Sequence, residues 1–110
     1  MTTSNWDWQA LSRRFFEAAQ EAYRSAGEWK ARGGPAGQAE HDGQMARFSV
    51  YSHLHDKSFL ARREDLLAEL GRMMDEPVAE RPTGVADMDS FERFRRRCIR
   101  ELIGELESTV

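Results

Sequence analysis

Residues 8–29 read WQALSRRFFEAAQEAYRSAGEW, and this stretch decides the fold class. Its apolar and alanine residues recur at steps of three or four and form one stripe along a helix. The members of that stripe are Trp8, Leu11, Phe15, Ala18, Ala22, Ala26 and Trp29. The alanines in mid-stripe predict close approach by a neighbouring helix. Ser4 and Asp7 resemble a capping box and Gly33 is a typical stop, so we predict a first helix over about residues 5–32.

The rest of the chain has the same helical character. No stretch shows the dense β-branched alternation of a strand, so no sheet is predicted. Two segments rich in glycine or proline, residues 33–37 and 77–84, separate the helical stretches. Such clusters are typical of turns and loops, and we expect a connection at each of them.

The middle stretch, residues 38–76, contains no proline and only two glycines. As one helix it would be about 57 Å long, which is far longer than a compact domain of this size. A polar run near its centre offers a break, with Asp56 or Ser58 as the cap of a new helix. We therefore favour two helices, over about residues 38–55 and 58–76, with a single helix as the alternative.

The last helix is predicted over about residues 89–107. Asp89 and Glu92 resemble a capping box, and Met88 lies where a hydrophobic staple begins. The apolar stripe of this helix comprises Phe91, Phe94, Cys98, Ile99, Leu102, Ile103 and Leu106. Helices joined by short connections pack as antiparallel bundles. The expected fold is therefore all-α, a single-domain antiparallel bundle of three to four helices over residues 1–110.

Composition limits the classes of protein that fit. The chain has 110 residues, of which 40% are hydrophobic and 32% charged, so a globular domain is favoured over a disordered chain. The net charge of −3 argues against bulk electrostatic affinity for nucleic acid but leaves a local basic patch open. The single cysteine, Cys98, cannot form an internal disulfide, and no apolar run is long enough to span a membrane. We expect a cytoplasmic protein with no membrane association.

Five arginines fall within eight residues of the last helix, and they are the most informative local feature. Four of them share one helical face at steps of three and four, and these are Arg93, Arg96, Arg97 and Arg100. The planar guanidinium is suited to phosphate or carboxylate. This face is interpreted either as a docking site for an anionic partner or as a solvated face paired with acids such as Glu101.

Tryptophans and methionines form a second candidate surface. Trp6 and Trp8 lie two residues apart and therefore point in different directions, while Trp29 lies at the other end of the first helix. Together with Met73 and Met74, they predict a protein interface. The alternative is that the tryptophans fold back over the ends of the bundle.

Enzyme chemistry has little support. The chain lacks Glu-x-x-His, His-Glu-x-x-His and Cys-x-x-Cys motifs, and its three histidines fit no common metal site. His55-Asp56 resembles the adjacent His-Asp pair of HD-domain metal phosphohydrolases. That resemblance covers two residues and implies His41 and Asp65 or Asp75 as further ligands. The alternative is that Asp56 caps a helix.

We therefore expect a small non-catalytic helical protein, a subunit, adaptor or regulator, that requires no cofactor or metal. Its partner is expected to be another protein or a second copy of the chain. The alternative is a helical subunit of a nucleoprotein complex that contacts nucleic acid through the arginines of the last helix. An HD-like metal phosphohydrolase is the remote alternative.

Overall fold

The structure is a computed structural model that describes residues 7–55, 57, 62–76, 78 and 80–108. Within these ranges the chain forms four α-helices and no strand. The helices are α1 (Trp8–Arg32), α2 (Gly34–His55), α3 (Arg63–Asp75) and α4 (Met88–Ser108). The predicted all-α bundle is confirmed. None of these helices is both long enough and apolar enough to cross a membrane.

Helix α1 begins later than predicted. Asp7 is its N-cap, with φ −118° and ψ 97°, and the carboxylate accepts a hydrogen bond of 3.2 Å from the Ala10 backbone N–H. A carboxylate at this position satisfies a free N–H and complements the helix dipole. The prediction of a start near residue 5 is therefore wrong, and Ser4 lies outside the described residues. Phe15 and Ala26 are buried, as the apolar stripe predicts.

The turn between α1 and α2 is shorter than predicted. Gly33 and Gly34 have φ values of 74° and 75°, a conformation that favours glycine, and α2 begins at once. Pro35 is tolerated in the first turn of α2, where its missing N–H has no helical partner to lose. Just after the turn the two helices lie close together, because a Cβ atom at Gly37 would lie 2.7 Å from the Trp29 carbonyl oxygen. Ala22 and Ala26 of the predicted stripe are buried.

The predicted break in the middle stretch is confirmed, but the helix that follows it begins later than predicted. Helix α2 ends at His55 and α3 begins at Arg63, five residues after the predicted start. Arg62 occupies the N-cap position of α3 and makes no side-chain capping hydrogen bond. The candidate caps Asp56 and Ser58 lie outside the described residues.

Helices α3 and α4 run antiparallel and cap each other's C-terminal ends. Arg63, the first residue of α3, donates a 2.9 Å hydrogen bond to the Leu106 carbonyl near the end of α4. Arg95, near the start of α4, donates hydrogen bonds of 2.7 and 3.3 Å to the Met73 and Glu76 carbonyls at the end of α3. A cation at a helix C-terminus satisfies free carbonyls and complements the dipole. This exchange fixes the α3–α4 pair.

A second polar contact links α3 to α2. The Nε of Arg72 donates a 2.9 Å hydrogen bond to Glu69, and the His53 Nε2 lies 2.6 Å from the same carboxylate. The Arg72 hydrogen bond lowers the pKa of Glu69 to about 2, although burial acts in the opposite direction. Glu69 is therefore ionised at neutral pH, where it bridges the two helices.

Helix α4 packs on α2 through a hydrophobic core that holds most of the predicted stripe. The buried members of the main cluster are Phe15, Val50, Leu54, Leu66, Leu70, Met73, Cys98, Ile99, Leu102 and Leu106. Closest approach occurs at Gly43 of α2, where a Cβ atom would overlap the Phe94 ring of α4. A smaller cluster of Ala46, Val85 and Phe91 lies beside this contact, and it seats the N-terminal end of α4 on α2.

Candidate binding surface on helix α4

A fully buried carboxylate anchors the segment that leads into α4. Asp42 of α2 is 0% exposed and accepts hydrogen bonds from the backbone N–H groups of Ala86 (3.1 Å) and Asp87 (2.6 Å). Its other oxygen accepts from the Gln38 amide at 2.8 Å and lies 2.8 Å from the Nδ1 of His41. A buried carboxylate needs such partners to offset its lost hydration. Asp42 therefore ties the start of α4 to α2.

Asp87 then caps α4. Its carboxylate accepts from the Ser90 backbone N–H (3.1 Å) and from the Ser90 hydroxyl (2.8 Å). These bonds, the backbone one first, lower the pKa of Asp87 below its ordinary value. The predicted capping pair, Asp89 with Glu92, is therefore wrong, because Asp87 already satisfies the free N–H groups and the helix begins at Met88.

Three of the predicted arginines project from the outer side of α4. Arg93, Arg97 and Arg100 are exposed, and we refer to these three as the arginine face. The Arg93 guanidinium lies 3.4 Å from the Ser90 hydroxyl, and the Arg97 guanidinium lies 5.2 Å from the centre of the Phe94 ring. Within the described parts of the chain, none of the three contacts a carboxylate. Arg93 lies close enough to Asp87 to help lower the pKa of that carboxyl, after the Ser90 hydrogen bonds. The positive charge of Arg97 and Arg100 is neutralised by no salt bridge among the described residues.

The fourth predicted member, Arg96, departs from this face. Its side chain is 43% exposed, and its Nε lies 3.6 Å from a carboxylate oxygen of Glu92 on the preceding turn. Arg96 is therefore paired within the helix and is corrected from a free docking residue to a member of an ion pair. Glu92 also lies 3.7 Å from Arg95, so it interacts with two neighbouring arginines.

Arg95 was missed as a structural residue, although the sequence held a signal for it. Its steps from Phe91 and to Cys98, four and three residues, place it on the buried stripe. It is 8% exposed and donates to the Met73 and Glu76 carbonyls at the end of α3. The five arginines therefore divide into one inner residue, Arg95, one that is paired with Glu92, Arg96, and the three outer ones of the arginine face.

The tryptophans of the second predicted surface are half-buried where the structure describes them. Trp8 packs edge-on against Phe15, with ring centres 6.4 Å apart. Trp29 lies under the guanidinium of Arg32, 4.4 Å from the ring centre. Trp6 lies outside the described residues. Trp8 thus joins the edge of the core, while Trp29 stays partly accessible near the α1–α2 turn.

The methionine pair is also less accessible than predicted. Met73 is 7% exposed and belongs to the core, so its assignment to an interface is corrected. Met74 is half-buried against the same core. The period of α3 turns Met73 inward with Leu66 and Leu70. Among the described residues, the exposed large hydrophobic side chains are instead Phe16 (44%) and Tyr23 (59%).

The residues of the HD-like hypothesis are not brought together. His41 and His55 lie fourteen residues apart on the single helix α2, a separation of about 21 Å, so they cannot bind one ion. Asp65 and Asp75 are exposed on α3, and Asp56 lies outside the described residues. In the described ranges, no group of three or more histidine, cysteine or acidic side chains is placed to hold a metal.

The one cysteine is a core residue. Burial raises the pKa of Cys98, which keeps the thiol protonated. Burial also raises the pKa of its neighbour Tyr51 to about 12, and the two side chains share a hydrogen bond. A buried, protonated thiol is a weak nucleophile.

Comparisons of the chain with protein families, with curated proteins and with solved structures find no match in any of the three. The functional argument therefore rests on the contacts and charges described above.

Proposed function

We propose that this chain is a small non-catalytic interaction protein, and that the arginine face docks a carboxylate-bearing surface of a partner protein. One observation carries the proposal: Arg93, Arg97 and Arg100 project together from an anchored helix and contact no carboxylate among the described residues. Each guanidinium offers a planar fork of donors that matches a carboxylate. The anchor at the start of α4 holds the three at fixed spacing.

The size and surroundings of the arginine face favour an acidic protein segment. From Arg93 to Arg100 the face extends about 10 Å along the helix axis. Asp89 lies four residues before the arginine face, and Glu101 and Glu107 lie one and seven residues after it; all three are exposed. A long polyanion lying along α4 would meet more of these carboxylates than a short acidic segment would. The net charge of −3 also disfavours non-specific nucleic-acid binding.

A cytoplasmic location belongs to the same proposal. The single cysteine is buried and free, as is typical of proteins that function where disulfides do not form.

Contact with nucleic acid is the second candidate. The observation in its favour is that all three residues of the face are arginines, which bind phosphate in the same bidentate manner as carboxylate. Arg97 lies over the Phe94 ring, and such an arginine and aromatic pair is also found where single strands bind.

The test replaces the arginine face with glutamine and measures binding to two defined polyanions. Poly-L-glutamate represents an acidic protein segment, and a single-stranded oligonucleotide represents nucleic acid. Each charge-assisted hydrogen bond contributes about 1.5 kcal/mol, so Arg93→Gln/Arg97→Gln/Arg100→Gln should bind poly-L-glutamate at least about tenfold more weakly at low salt. Fluorescence anisotropy of the labelled polymer measures the change.

The matched control makes the same change of charge elsewhere on the surface. Arg13, Arg62 and Arg81 are exposed and lie outside α4, and Arg13→Gln/Arg62→Gln/Arg81→Gln should bind nearly as tightly as wild type. Equal weakening by the two triple variants would show that only net charge matters and would refute the proposal. Preferential binding of the oligonucleotide, with a salt slope reduced by about two in the α4 variant alone, would support the nucleic-acid alternative.

A further inference from the structure

A depression of about 540 Å³ lies between α2 and the segment that leads into α4, and we call it the α2 depression. Its residues on α2 have the spacing i, i+3, i+4, i+7 and i+8, so they share one side of the helix. They are Met45, Phe48, Ser49, Ser52 and His53, and Pro82 and Thr83 complete the lining among the described residues. The volume falls within the range of small-molecule sites, about 300–1,000 Å³.

Pro82 and Thr83 are held beside α2 by the residues that follow them. Gly84 turns the chain with a φ of 87°, and the Pro82 carbonyl accepts a 3.1 Å hydrogen bond from the Val85 N–H. Val85 is buried, and Asp42 binds the next two backbone N–H groups. The depression is therefore formed before a ligand binds, which lowers the free-energy cost of binding.

Apolar side chains line one part of the α2 depression. They belong to Met45, Phe48 and Pro82. The Phe48 ring packs against Tyr23, with ring centres 5.1 Å apart, so it loses little freedom when a ligand binds. An aromatic ring and a thioether both make favourable contacts with a second aromatic ring. We therefore expect this part of the depression to bind an aromatic group.

His53 supplies the directional polar group of the depression. Its Nε2 lies 2.6 Å from the carboxylate of Glu69, which Arg72 also binds and which is ionised at neutral pH. An ionised carboxylate only accepts, so Nε2 carries the proton, and Nδ1 of the neutral imidazole is left as an acceptor. No described residue makes a hydrogen bond to Nδ1, and the side chain is 36% exposed. A ligand can therefore reach this nitrogen.

The other polar residues of the depression accept as readily as they donate. Ser49, Ser52 and Thr83 carry hydroxyl groups, which form hydrogen bonds in either sense. Selectivity therefore depends on Nδ1 of His53, which requires a donor on the ligand. A phenol joins an O–H donor to an aromatic ring in one small molecule.

We propose that the α2 depression binds a small neutral hydroxyaromatic molecule, whose ring packs on Phe48 and whose O–H donates to Nδ1 of His53. A carboxylate ligand would instead bring a second acceptor to that nitrogen. Glu69 is a positioning residue, because it does not line the depression but determines which imidazole nitrogen accepts. The inference does not rest on the arginine face, which lies on α4.

Fluorine NMR of the full chain in mildly alkaline buffer tests the proposal with two probes of similar shape. Para-fluorophenol carries the hydroxyl, and para-fluorotoluene has a methyl group in its place. We expect para-fluorophenol to bind with a dissociation constant on the order of 1 mM, and para-fluorotoluene to bind more weakly. Binding should change the backbone amide shifts of Ser49, Ser52 and Thr83.

Three variants test the role of the imidazole. His53→Phe keeps a ring but removes the acceptor, so the preference for para-fluorophenol should fall about fivefold, the equivalent of one neutral hydrogen bond. His55→Phe makes the same change outside the depression and should leave the preference unchanged. Glu69→Gln presents an amide that donates as well as accepts, so the proton is no longer confined to Nε2 of His53 and the preference should fall in part. Circular dichroism checks the fold of each variant.

NMR of the imidazole nitrogens in wild type provides a measurement that needs no variant. The His53 ring of the free protein should carry its proton on Nε2 in the same buffer. A proton on Nδ1 would overturn the proposal, as would equal binding of the two probes or no binding at about ten times the expected dissociation constant. An equal loss of preference in His55→Phe and His53→Phe would also overturn it.

Discussion

The inner and outer sides of α4 place the same side chain in opposite environments only two residues apart. Arg95, on the inner side, is 8% exposed and donates hydrogen bonds to two carbonyls at the end of α3. Arg97, on the outer side, is exposed and lies over the Phe94 ring. The comparison shows that helical phase decides which arginines stabilise the fold and which are available to a partner. The number of arginines in the run does not.

That phase depends on the anchor at the start of α4, so removal of the anchor should have the largest effect. Asp42→Ala removes a buried carboxylate and leaves the backbone N–H groups of Ala86 and Asp87 without their acceptor, and we expect the free energy of unfolding to fall by about 3 kcal/mol. Asp42→Asn keeps one oxygen that can accept from these donors, and it should lower the free energy of unfolding by about 1 kcal/mol. Urea denaturation measures both. If Asp42→Ala matches wild type, Asp42 does not anchor the helix.

Removal of the inner arginine should have the next largest effect. Arg95→Met keeps most of the side-chain volume but leaves the Met73 and Glu76 carbonyls without their donor, so we expect a loss of about 2 kcal/mol. Hydrogen exchange should show faster opening at the end of α3 in this variant. Arg95→Lys retains a charged donor and serves as the control, with a smaller loss. Unchanged protection of α3 in Arg95→Met would refute the capping role.

Because α4 packs closely on α2 at Gly43, replacing glycine by alanine should destabilise the protein at Gly43 and stabilise it at Gly27. Gly43→Ala forces the Phe94 ring to move, and overpacking of this kind costs about 1–3 kcal/mol, partly offset by the gain of about 1 kcal/mol in helix propensity. We expect a net loss of about 1 kcal/mol. Gly27 has open space around it, so Gly27→Ala should stabilise by about 0.5 kcal/mol. Urea denaturation compares the two variants. An equal loss of stability in Gly43→Ala and Gly27→Ala would contradict the close approach of Gly43 to the Phe94 ring.

Periodicity predicted the features that depend on local spacing. The apolar stripes of α1 and α4 predicted the helical bundle. Steps of three and four predicted that Arg93, Arg97 and Arg100 share one exposed side. The same rule places Arg95 with Phe91 and Cys98, so its inward position was available from the sequence. The helix starts were less certain because Asp7 and Asp87 each compete with another capping residue two or three positions away.

Features that depend on distant partners could not be predicted. Asp42 lies in the middle of a helix, and the two N–H groups it binds follow more than forty residues later. Nothing in its local pattern distinguishes it from a solvated acid. The packing of Tyr23 on Phe48 was equally hidden, because the two residues lie on different helices.

The most direct test of the division of α4 measures stability and binding together on one inner and one outer variant. Exposed substitutions usually change stability by less than about 0.5 kcal/mol. Arg93→Gln/Arg97→Gln/Arg100→Gln should therefore unfold at the wild-type urea midpoint while losing affinity for poly-L-glutamate. Arg95→Lys should unfold earlier and keep that affinity. If the triple variant is destabilised as much as Arg95→Lys, or binds poly-L-glutamate as tightly as wild type, the division between a structural and a docking side of α4 is wrong.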